Sequence, residues 1–297
     1  MRSHGWRPLA AVAFTTVVWA SAFAGIRAGL EAYGWGELAL LRFTVAVALL
    51  LTYAALSRIR LPDARDLGAI ALAGFLGIDV YHLGLNFGET RVAAGPASLL
   101  ISAVPVVTAL LAWVFLKERL GAWGWAGMLV GFAGVAVISL SASGGVRFEP
   151  AALAIMAAAV GESVYFIMIK PMMRRYSVME LTVYTFVAGW VFMLPFLPGL
   201  VRAVPRAPAH ATLSAVYLGV FPAALAYLAW NFALSRMPTG TTMSFLYFTP
   251  ALAILIAWVW LGELPGVLPV LGGVVVTVGV VLVNTFGSAA TQLTEEL

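Results

Sequence analysis

Long apolar segments separated by short polar ones run the length of the chain. A helix needs about 20 mostly apolar residues to cross roughly 30 Å of hydrocarbon. Ten segments reach this length, at approximately 8–29, 36–57, 67–88, 93–116, 122–142, 150–170, 180–201, 211–235, 240–262 and 266–286. The pattern therefore predicts an all-α polytopic membrane protein with ten transmembrane helices, and it leaves no room for a sizeable domain outside the membrane.

The second half of the chain repeats the pattern of the first. Residues 68–138 align without a gap on residues 213–283, and identical residues recur where apolar composition alone would not place them. The matched pairs include Gly74/Gly219, Asn86/Asn231, Arg91/Arg236, Gly95/Gly240, Pro105/Pro250, Glu118/Glu263, Gly127/Gly272 and Gly134/Gly279. We therefore predict a first five-helix repeat at 1–145 and a second at 146–297.

An odd number of spans in each half has a consequence for orientation. The second repeat must enter the membrane upside down relative to the first. Inverted repeats of this kind build two gates around one central site in many secondary transporters. Weaker matches extend the repeat to the first two spans, at offsets of 142 and 143: Ser21/Ser163, Phe23/Tyr165 and Glu37-Leu38/Glu180-Leu181.

Composition and charge support this class. The chain is 62% hydrophobic and 10% charged, which is typical of a polytopic membrane protein and not of a soluble domain. Loops on the N-terminal side of the predicted topology hold 11 Lys and Arg residues and the opposite loops hold 5. This bias predicts both termini in the cytoplasm, with the chain in a bacterial inner (plasma) membrane. The basic residues are too dispersed to indicate a nucleic-acid partner.

Several chemical classes find no support in the sequence. Without cysteine, disulfides, thiol nucleophiles and Cys-ligated metals are excluded. The chain has no GxxxxGK[ST], HExxH or GxSxG motif and only three histidines, so we expect no cofactor, no metal site and no catalytic residue.

Ionisable side chains inside a span cost roughly 2.5–3.5 kcal/mol at the membrane centre, so each needs an explanation. Asp79, His82 and Asn86 share one helical face of span three, and the repeat partners of the last two are Tyr227 and Asn231. The face could line a cavity. Alternatively, the asparagines only tie helices together, and Asp79 lies near a membrane boundary.

Glu162 lies near the middle of span six and admits two interpretations. It could bind a substrate ammonium group or carry a proton, or it could form a structural ion pair with Arg42, which is similarly deep in span two. Glu118 and Glu263 instead lie at the ends of spans four and nine, next to a loop. We expect each of them to form a hydrogen bond or an ion pair at the membrane surface rather than to contact the substrate.

Two further patterns concern spans four, eight and nine. Thr241, Ser244 and Tyr247 form a hydroxyl stripe, which could serve a substrate or merely bond the helix's own carbonyls. Pro105 and Pro250 fall in mid-span at equivalent repeat positions, so they predict paired hinges or paired static bends. Pro222 adds a third bend without a partner, since Gly77 occupies the matching place.

Together these patterns predict a central cavity lined from spans one, three, four, six, eight and nine. Small-molecule sites are usually apolar and aromatic with a few polar anchors. The predicted substrate-binding residues are Trp19, Tyr81, His82, Glu162, Tyr165, Tyr227, Trp230, Asn231, Ser244 and Tyr247.

Short motifs in the first two spans and the Gly/Pro/Trp/Leu/Glu series of spans four and nine point to a known family. The motifs are Trp19-Ala20-Ser21-Ala22-Phe23, Leu41-Arg42-Phe43, Gly95/Pro105/Trp113/Leu116/Glu118 and Gly240/Pro250/Trp258/Leu261/Glu263. In these the chain resembles EamA-type members of the drug/metabolite transporter superfamily, most of all bacterial amino-acid exporters of the YddG type.

The resemblance implies a ten-helix basket around a central cavity that exports amino acids and related metabolites. We expect hydrophobic, aromatic and small hydroxylated amino acids as substrates, moved by alternating access through the lipid bilayer. A passive metabolite channel and, more remotely, an intramembrane enzyme are the alternatives. The sequence is compatible with a monomer and leaves the oligomeric state and the coupling to a proton gradient open.

Overall fold

The computed structural model describes residues 5–57, 59–92, 97, 100–143, 150–252, 256 and 266–287, and the regular structure within these ranges is helical throughout. The helices in chain order are α1 Trp6–Leu30, α2 Trp35–Ser57, α3 Ala64–Glu89, α4 Val104–Leu116, α5 Ala122–Ser143, α6 Ala152–Met172, α7 Val178–Arg206, α8 Ala209–Leu234, α9 (239–252) and α10 Val267–Phe286. The predicted features at Gly95, Trp258, Leu261 and Glu263 lie outside the described residues.

Seven helices of the described part are long and apolar enough to cross a membrane, namely α1, α2, α3, α6, α7, α8 and α10. Each coincides with a predicted span. The shorter helices α4 and α5 are also apolar. Large apolar side chains such as Leu129 and Leu213 cover the outside of the bundle, as expected for a surface that contacts lipid.

Helices α3 and α8 share an irregularity. Each contains a stretch of wider π-helix, at Phe75–Val80 in α3 and at Gly219–Leu225 in α8. The prediction treated Pro222 as a bend with no counterpart, and the structure corrects this. The π-helical stretch accommodates Pro222, which lacks a backbone N–H, and in α3 the same geometry surrounds Gly77, whose missing side chain lets the Tyr165 ring lie against the backbone.

Both repeat-equivalent prolines follow a local change in the helix. The chain makes a turn at 102–103, and Pro105 then occupies the first turn of α4, where its missing N–H is no loss. In α9 the regular helix Thr239–Ser244 passes into a 3₁₀ turn, Phe245–Tyr247, and Pro250 follows in the next helical stretch. The predicted bends therefore fall at breaks in the helical hydrogen bonding.

Helices α5 and α10 pack side by side at glycines. A Cβ atom placed on Gly127 would lie 2.7 Å from the carbonyl oxygen of Gly279, and one on Gly134 would lie 2.8 Å from that of Gly272. Because Gly127 faces Gly279 while Gly134 faces Gly272, the two helices run antiparallel. Small residues let membrane helices approach to backbone contact, and van der Waals packing there replaces the hydrophobic driving force available in water.

We expect Gly279→Ala to destabilise the bundle by about 1–3 kcal/mol, because the added methyl meets backbone that can move only by separating the helices. A Cβ on Gly279 would lie 2.4 Å from the Gly131 nitrogen. Gly273→Ala is the matched control on the same helix, since its nearest contact would be the Ala251 side chain at 3.8 Å. Thermal unfolding in detergent measures both variants, and equal midpoints would contradict the packing.

Candidate functional site

A cavity of about 70 Å³ lies among α1, α2, α3, α4, α6, α8 and α9. This volume is smaller than the roughly 300–1,000 Å³ that is typical of small-molecule sites. The lining residues are Trp19, Ala22, Phe23, Ile26, Arg42, Tyr81, His82, Leu85, Ile101, Ser102, Val104, Glu162, Phe166, Tyr227, Leu246, Thr249 and Pro250. The lining is mainly apolar, with the charged and hydrogen-bonding groups concentrated on α2, α3, α6 and α8.

A row of hydrogen-bonded polar side chains connects three of these helices. Tyr227 donates its hydroxyl to Glu162 Oε1 at 3.0 Å, and the same hydroxyl oxygen lies 3.3 Å from His82 Nε2. All three residues are at most 3% exposed, so this arrangement satisfies part of their hydrogen-bonding need inside the bundle.

Trp19 is held firmly at the cavity wall. Its indole N–H donates to the Pro222 carbonyl at 2.9 Å, within the π-helical stretch of α8. Its ring packs 5.2 Å from Tyr227 and 5.1 Å from Trp230, measured between ring centroids. The irregular backbone of α8 therefore positions an aromatic wall, and a carbonyl released by the π-helical geometry finds a donor.

Arg42 lines the cavity but does not pair with Glu162. The guanidinium carbon lies 5.6 Å from the centre of the Phe43 ring, and Arg42 forms no ion pair among the residues that the structure describes. The structural alternative for Glu162 required a direct Arg42–Glu162 pair, which this structure does not contain. Two buried ionisable side chains thus face one cavity without contacting each other.

Five predicted site residues are buried outside the cavity lining: Tyr165, Trp230, Asn231, Ser244 and Tyr247. Asn231 donates to Tyr165 at 3.3 Å and to Thr182 at 3.1 Å, so it ties α8 to α6 and α7. Its repeat equivalent Asn86 donates to the Trp35 carbonyl at 3.0 Å. Both asparagines therefore act as links between helices, the alternative that the sequence left open.

The hydroxyl stripe of α9 faces a neighbouring helix. Ser244 donates to the Thr241 carbonyl at 2.8 Å and accepts from Asn284 of α10 at 3.2 Å, while Tyr247 packs against Gly131 of α5. The 3₁₀ turn at Phe245–Tyr247 changes the helical phase, so the residues that reach the cavity are Leu246, Thr249 and Pro250.

Sequence reasoning missed most of the apolar lining. On α1 the signal was available, because Trp19, Ala22, Phe23 and Ile26 follow the i, i+3, i+4, i+7 spacing of one helical face. Leu85 follows Tyr81 and His82 by four and three positions, so α3 carried the same signal. Asp79 is only 2% exposed and does not line the cavity.

A cluster of charged and polar groups closes one end of the bundle beyond the cavity. Lys170, near the end of α6, pairs with Glu118 at 2.7 Å and donates to Thr239 Oγ1 at 2.8 Å and to the Met237 carbonyl at 3.0 Å. Glu118 also accepts from the Thr239 backbone N–H at 2.7 Å. The predicted pairing of Glu118 is thereby confirmed, and it joins the ends of α4 and α6 to the start of α9.

A second cluster lies at the same end. Arg175, in the α6–α7 loop, contacts Asp63 at 2.7 Å and Asp66 at 2.9 Å, and Tyr176 donates to Asp66 at 2.5 Å. The hydrogen bond to Asp66 raises the pKa of the Tyr176 hydroxyl above its ordinary value. These contacts fasten the α2–α3 connection to the α6–α7 loop. The cavity residues lie farther along the same helices, toward the opposite end.

The fold and site define a helical membrane protein with a cavity between its helices. Comparison with known proteins gives the family. The sequence profile of the EamA-like transporter family matches residues 7–140 and again residues 149–285. The chain belongs to this transporter family, and so to the EamA-type drug/metabolite transporters rather than to an enzyme class.

Individual relatives agree with this assignment. A protein of Streptantibioticus cattleyicolor named "probable terminal-alkyne amino-acid exporter" is 44% identical over 274 residues, covering 92% of each chain. The uncharacterized transporter YdfC of Bacillus subtilis is 42% identical, covering 89% of this chain and 86% of the relative. A protein of known crystal structure shares the fold with a TM-score of 0.77 at 20% identity, covering 93% of this chain and 95% of the other.

We expect Lys170→Met to lower the stability of the bundle by about 1–3 kcal/mol, because Glu118 loses its cation in a partly buried place. The pair is 18% and 30% exposed for the lysine and glutamate side chains. Lys117→Met removes the same charge from an exposed lysine of the neighbouring loop and serves as the control. Thermal unfolding in detergent compares the two, and equal losses would show that the Lys170 contacts do not hold this end.

Proposed function

We propose that this chain is a secondary transporter that exports amino acids across the bacterial plasma membrane by alternating access. Hydrophobic, aromatic and small hydroxylated amino acids are its substrates. The observation that carries the proposal is the buried cavity in which Glu162, Tyr227, His82 and Arg42 meet an apolar wall. The relative named as an amino-acid exporter, at 44% identity over most of both chains, supports the substrate class.

Two inverted five-helix repeats, 1–145 and 146–297, are the architecture we propose for this mechanism. The repeat makes Gly127 equivalent to Gly272 and Gly134 equivalent to Gly279. A twofold axis that relates the two repeats therefore turns the contact of Gly127 with Gly279 into the contact of Gly134 with Gly272, and both contacts are present. It also brings equivalent residues near the axis together. His82 and Tyr227, which are equivalent and 145 positions apart, meet at 3.3 Å.

Further packing contacts fit the same symmetry. A Cβ on Gly74 would lie 2.6 Å from the Thr185 carbonyl oxygen, and a Cβ on its equivalent Gly219 would lie 2.6 Å from that of Arg42. Thr185 and Arg42 are related by the offset of 143 that aligns the second span with the seventh. The paired π-helical stretches in α3 and α8 supply a third correspondence.

The breaks before Pro105 and Pro250 are where we place the hinges. Broken helices beside a cavity are how membrane transporters combine irregular backbone with a binding site. Pro250 itself lines the cavity, and Ser102 and Val104 line it beside the break that precedes Pro105. A bend at these two places would move the upper and lower parts of α4 and α9 relative to each other and so change access to the cavity.

With both termini in the cytoplasm, the end closed by the Lys170 and Arg175 clusters faces the cytoplasm. A passive channel would need a path open at both ends, and the 2.7 Å Lys170–Glu118 pair argues against one. A transporter opens its site to one side of the membrane at a time, whereas a pore is open to both sides at once.

Cysteine labelling tests the topology, since the native chain contains no cysteine. We expect Leu61→Cys and Arg174→Cys to react with a membrane-impermeant maleimide only after cells are permeabilised. Arg206→Cys, in the predicted outer loop, should react in intact cells. All three positions are exposed. The reverse labelling pattern would overturn the proposed orientation.

Counterflow in proteoliposomes tests transport itself. Vesicles loaded with unlabelled leucine, phenylalanine or threonine should accumulate the labelled amino acid transiently, with and without a pH gradient. Ala22→Phe should lower this flux about tenfold or more, because the ring fills the cavity and removes the space for substrate. Ala24→Phe makes the same change at an exposed position of α1 and should retain flux.

No counterflow of any amino acid by the wild-type protein would refute the proposed function. Equal flux in the Ala22→Phe and Ala24→Phe variants would show that this cavity is not the transport path. A response to the pH gradient distinguishes proton coupling from movement down the substrate gradient.

A further inference from the structure

A second concave surface lies at the end of the bundle opposite the Lys170 and Arg175 clusters. It is an open cleft of about 470 Å³ between the α1–α2 connection, the last turns of α7 and the α7–α8 connection. Glu31 lines it from the α1–α2 connection, and Arg202 and Arg206 line it from α7. The cleft shares no lining residue with the cavity between the helices, so it is a separate site.

Both arginines of the cleft lack a carboxylate partner among the residues that the structure describes. Arg202 Nε donates to the Pro198 carbonyl at 3.1 Å and Arg206 Nη1 donates to the Arg202 carbonyl at 3.4 Å, so each guanidinium bonds to its own helix. Glu31, the acidic residue of the lining, instead contacts His210 at 3.0 Å. Two like charges one helical turn apart repel each other, and an anion that bonds to both would remove this cost.

The length of α7 places these arginines at the membrane surface. The first residue of the helix, Val178, follows the α6–α7 loop at the opposite face of the bundle. At a rise of 1.5 Å per residue, Arg202 lies about 36 Å farther along the helix, which exceeds the roughly 30 Å of hydrocarbon. The cleft therefore lies at the level of the lipid headgroups.

An apolar stripe runs beside the two arginines on α7. Leu197, Val201 and Val204 follow the i, i+4, i+7 spacing of one helical face, and they are 45%, 62% and 41% exposed. Arg202 directly follows Val201, so the basic side chains lie on the adjoining face. The end of α7 thus presents an apolar surface of the kind that acyl chains cover next to a basic surface at headgroup level, and this combination distinguishes the cleft from a site for a free inorganic anion.

We propose that this cleft binds the headgroup of an anionic phospholipid, with the phosphodiester held by Arg202 and Arg206 and the acyl chains lying along the apolar stripe. Guanidinium groups match phosphate oxygens in geometry and in charge. Because two guanidiniums face one carboxylate, the lining carries a net positive charge, which favours an anionic lipid over a zwitterionic one. The site is independent of the transport function proposed above, and with both termini in the cytoplasm the lipid belongs to the outer leaflet.

A lipid in the cleft would also join separate parts of the chain. The lining combines Glu31 and Ala32 of the α1–α2 connection with residues of α7 and with Pro208 of the α7–α8 connection. A ligand that binds only the folded arrangement of these segments stabilises it, so the bound lipid should raise the midpoint of thermal unfolding.

Native mass spectrometry of the full-length protein in detergent tests the site, with phosphatidylglycerol and phosphatidylcholine of identical acyl chains as probes. The wild-type protein should retain phosphatidylglycerol about tenfold more strongly, because each basic residue near a headgroup contributes severalfold in affinity. Arg202→Gln/Arg206→Gln should lose this preference, and Arg202→Lys/Arg206→Lys should recover part of it. Arg27→Gln/Arg91→Gln is the matched control, since it removes two charges from exposed positions at the same end of the bundle and should keep the preference.

Thermal unfolding with and without phosphatidylglycerol gives a second measurement. The midpoint should rise in the wild-type protein and in the Arg27→Gln/Arg91→Gln control, and it should stay unchanged in Arg202→Gln/Arg206→Gln. Equal retention of the two lipids by the wild-type protein would overturn the proposal whether or not a variant folds. An equal loss of preference in the control would show that overall charge attracts the lipid, and displacement of the lipid by excess inorganic phosphate would show an anion site only; either result would also overturn it. These outcomes leave the transport proposal standing, and an absence of amino-acid counterflow leaves the lipid site standing.

Discussion

The hydrogen bonds of the Tyr227 hydroxyl organise the interior of this bundle. Water cannot satisfy polar groups within the hydrocarbon, so every such group must find its partners inside the protein. Tyr227 donates to Glu162 on α6 and lies within hydrogen-bonding distance of His82 on α3. One side chain of the second half thereby links a helix of its own half to a helix of the first. The aromatic packing of Trp19, Phe43 and Phe186 surrounds this link and keeps its geometry fixed.

Polar side chains inside the bundle divide into two groups by this rule. Asn86, Asn231, Ser163 and Ser244 are bonded to backbone or to neighbouring helices, and their role is to join them. Arg42 and Glu162 keep atoms without partners and border the cavity, whereas the unpartnered Oδ1 atoms of Asn86 and Asn231 lie outside its lining. Since leaving buried polar atoms unpaired is unfavourable, the second group is where a ligand has most to contribute.

Glycine determines where the helices can meet, and so where the cavity can form. α5 and α10 are in backbone contact at Gly127, Gly131, Gly134, Gly272 and Gly279. In contrast, α8 and α9, which line the cavity, are interrupted by a π-helical stretch and a 3₁₀ turn, and a turn at 102–103 precedes α4. A membrane protein that needs an internal site can combine close-packed pairs for stability with broken helices for space. The EamA-like family match in both halves is consistent with one such design used twice.

The sequence alone determined the class of protein and the course of the chain, because the length and apolarity of a span are local properties imposed by the membrane. It also placed Trp19, Tyr81, His82, Glu162 and Tyr227 among the site residues, since ionisable and aromatic groups in mid-span need a protein-facing position. It could not assign Asn231, Ser244 or Tyr247, whose residue types suit a site or a helix contact equally well. Their surroundings depend on helix rotation, and a single 3₁₀ turn at Phe245–Tyr247 or π-helical stretch at Gly219–Leu225 changes that rotation. Only the tertiary structure decided that Arg42 and Glu162 share a cavity without pairing, because the distance between two helices is set by the packing of all their neighbours.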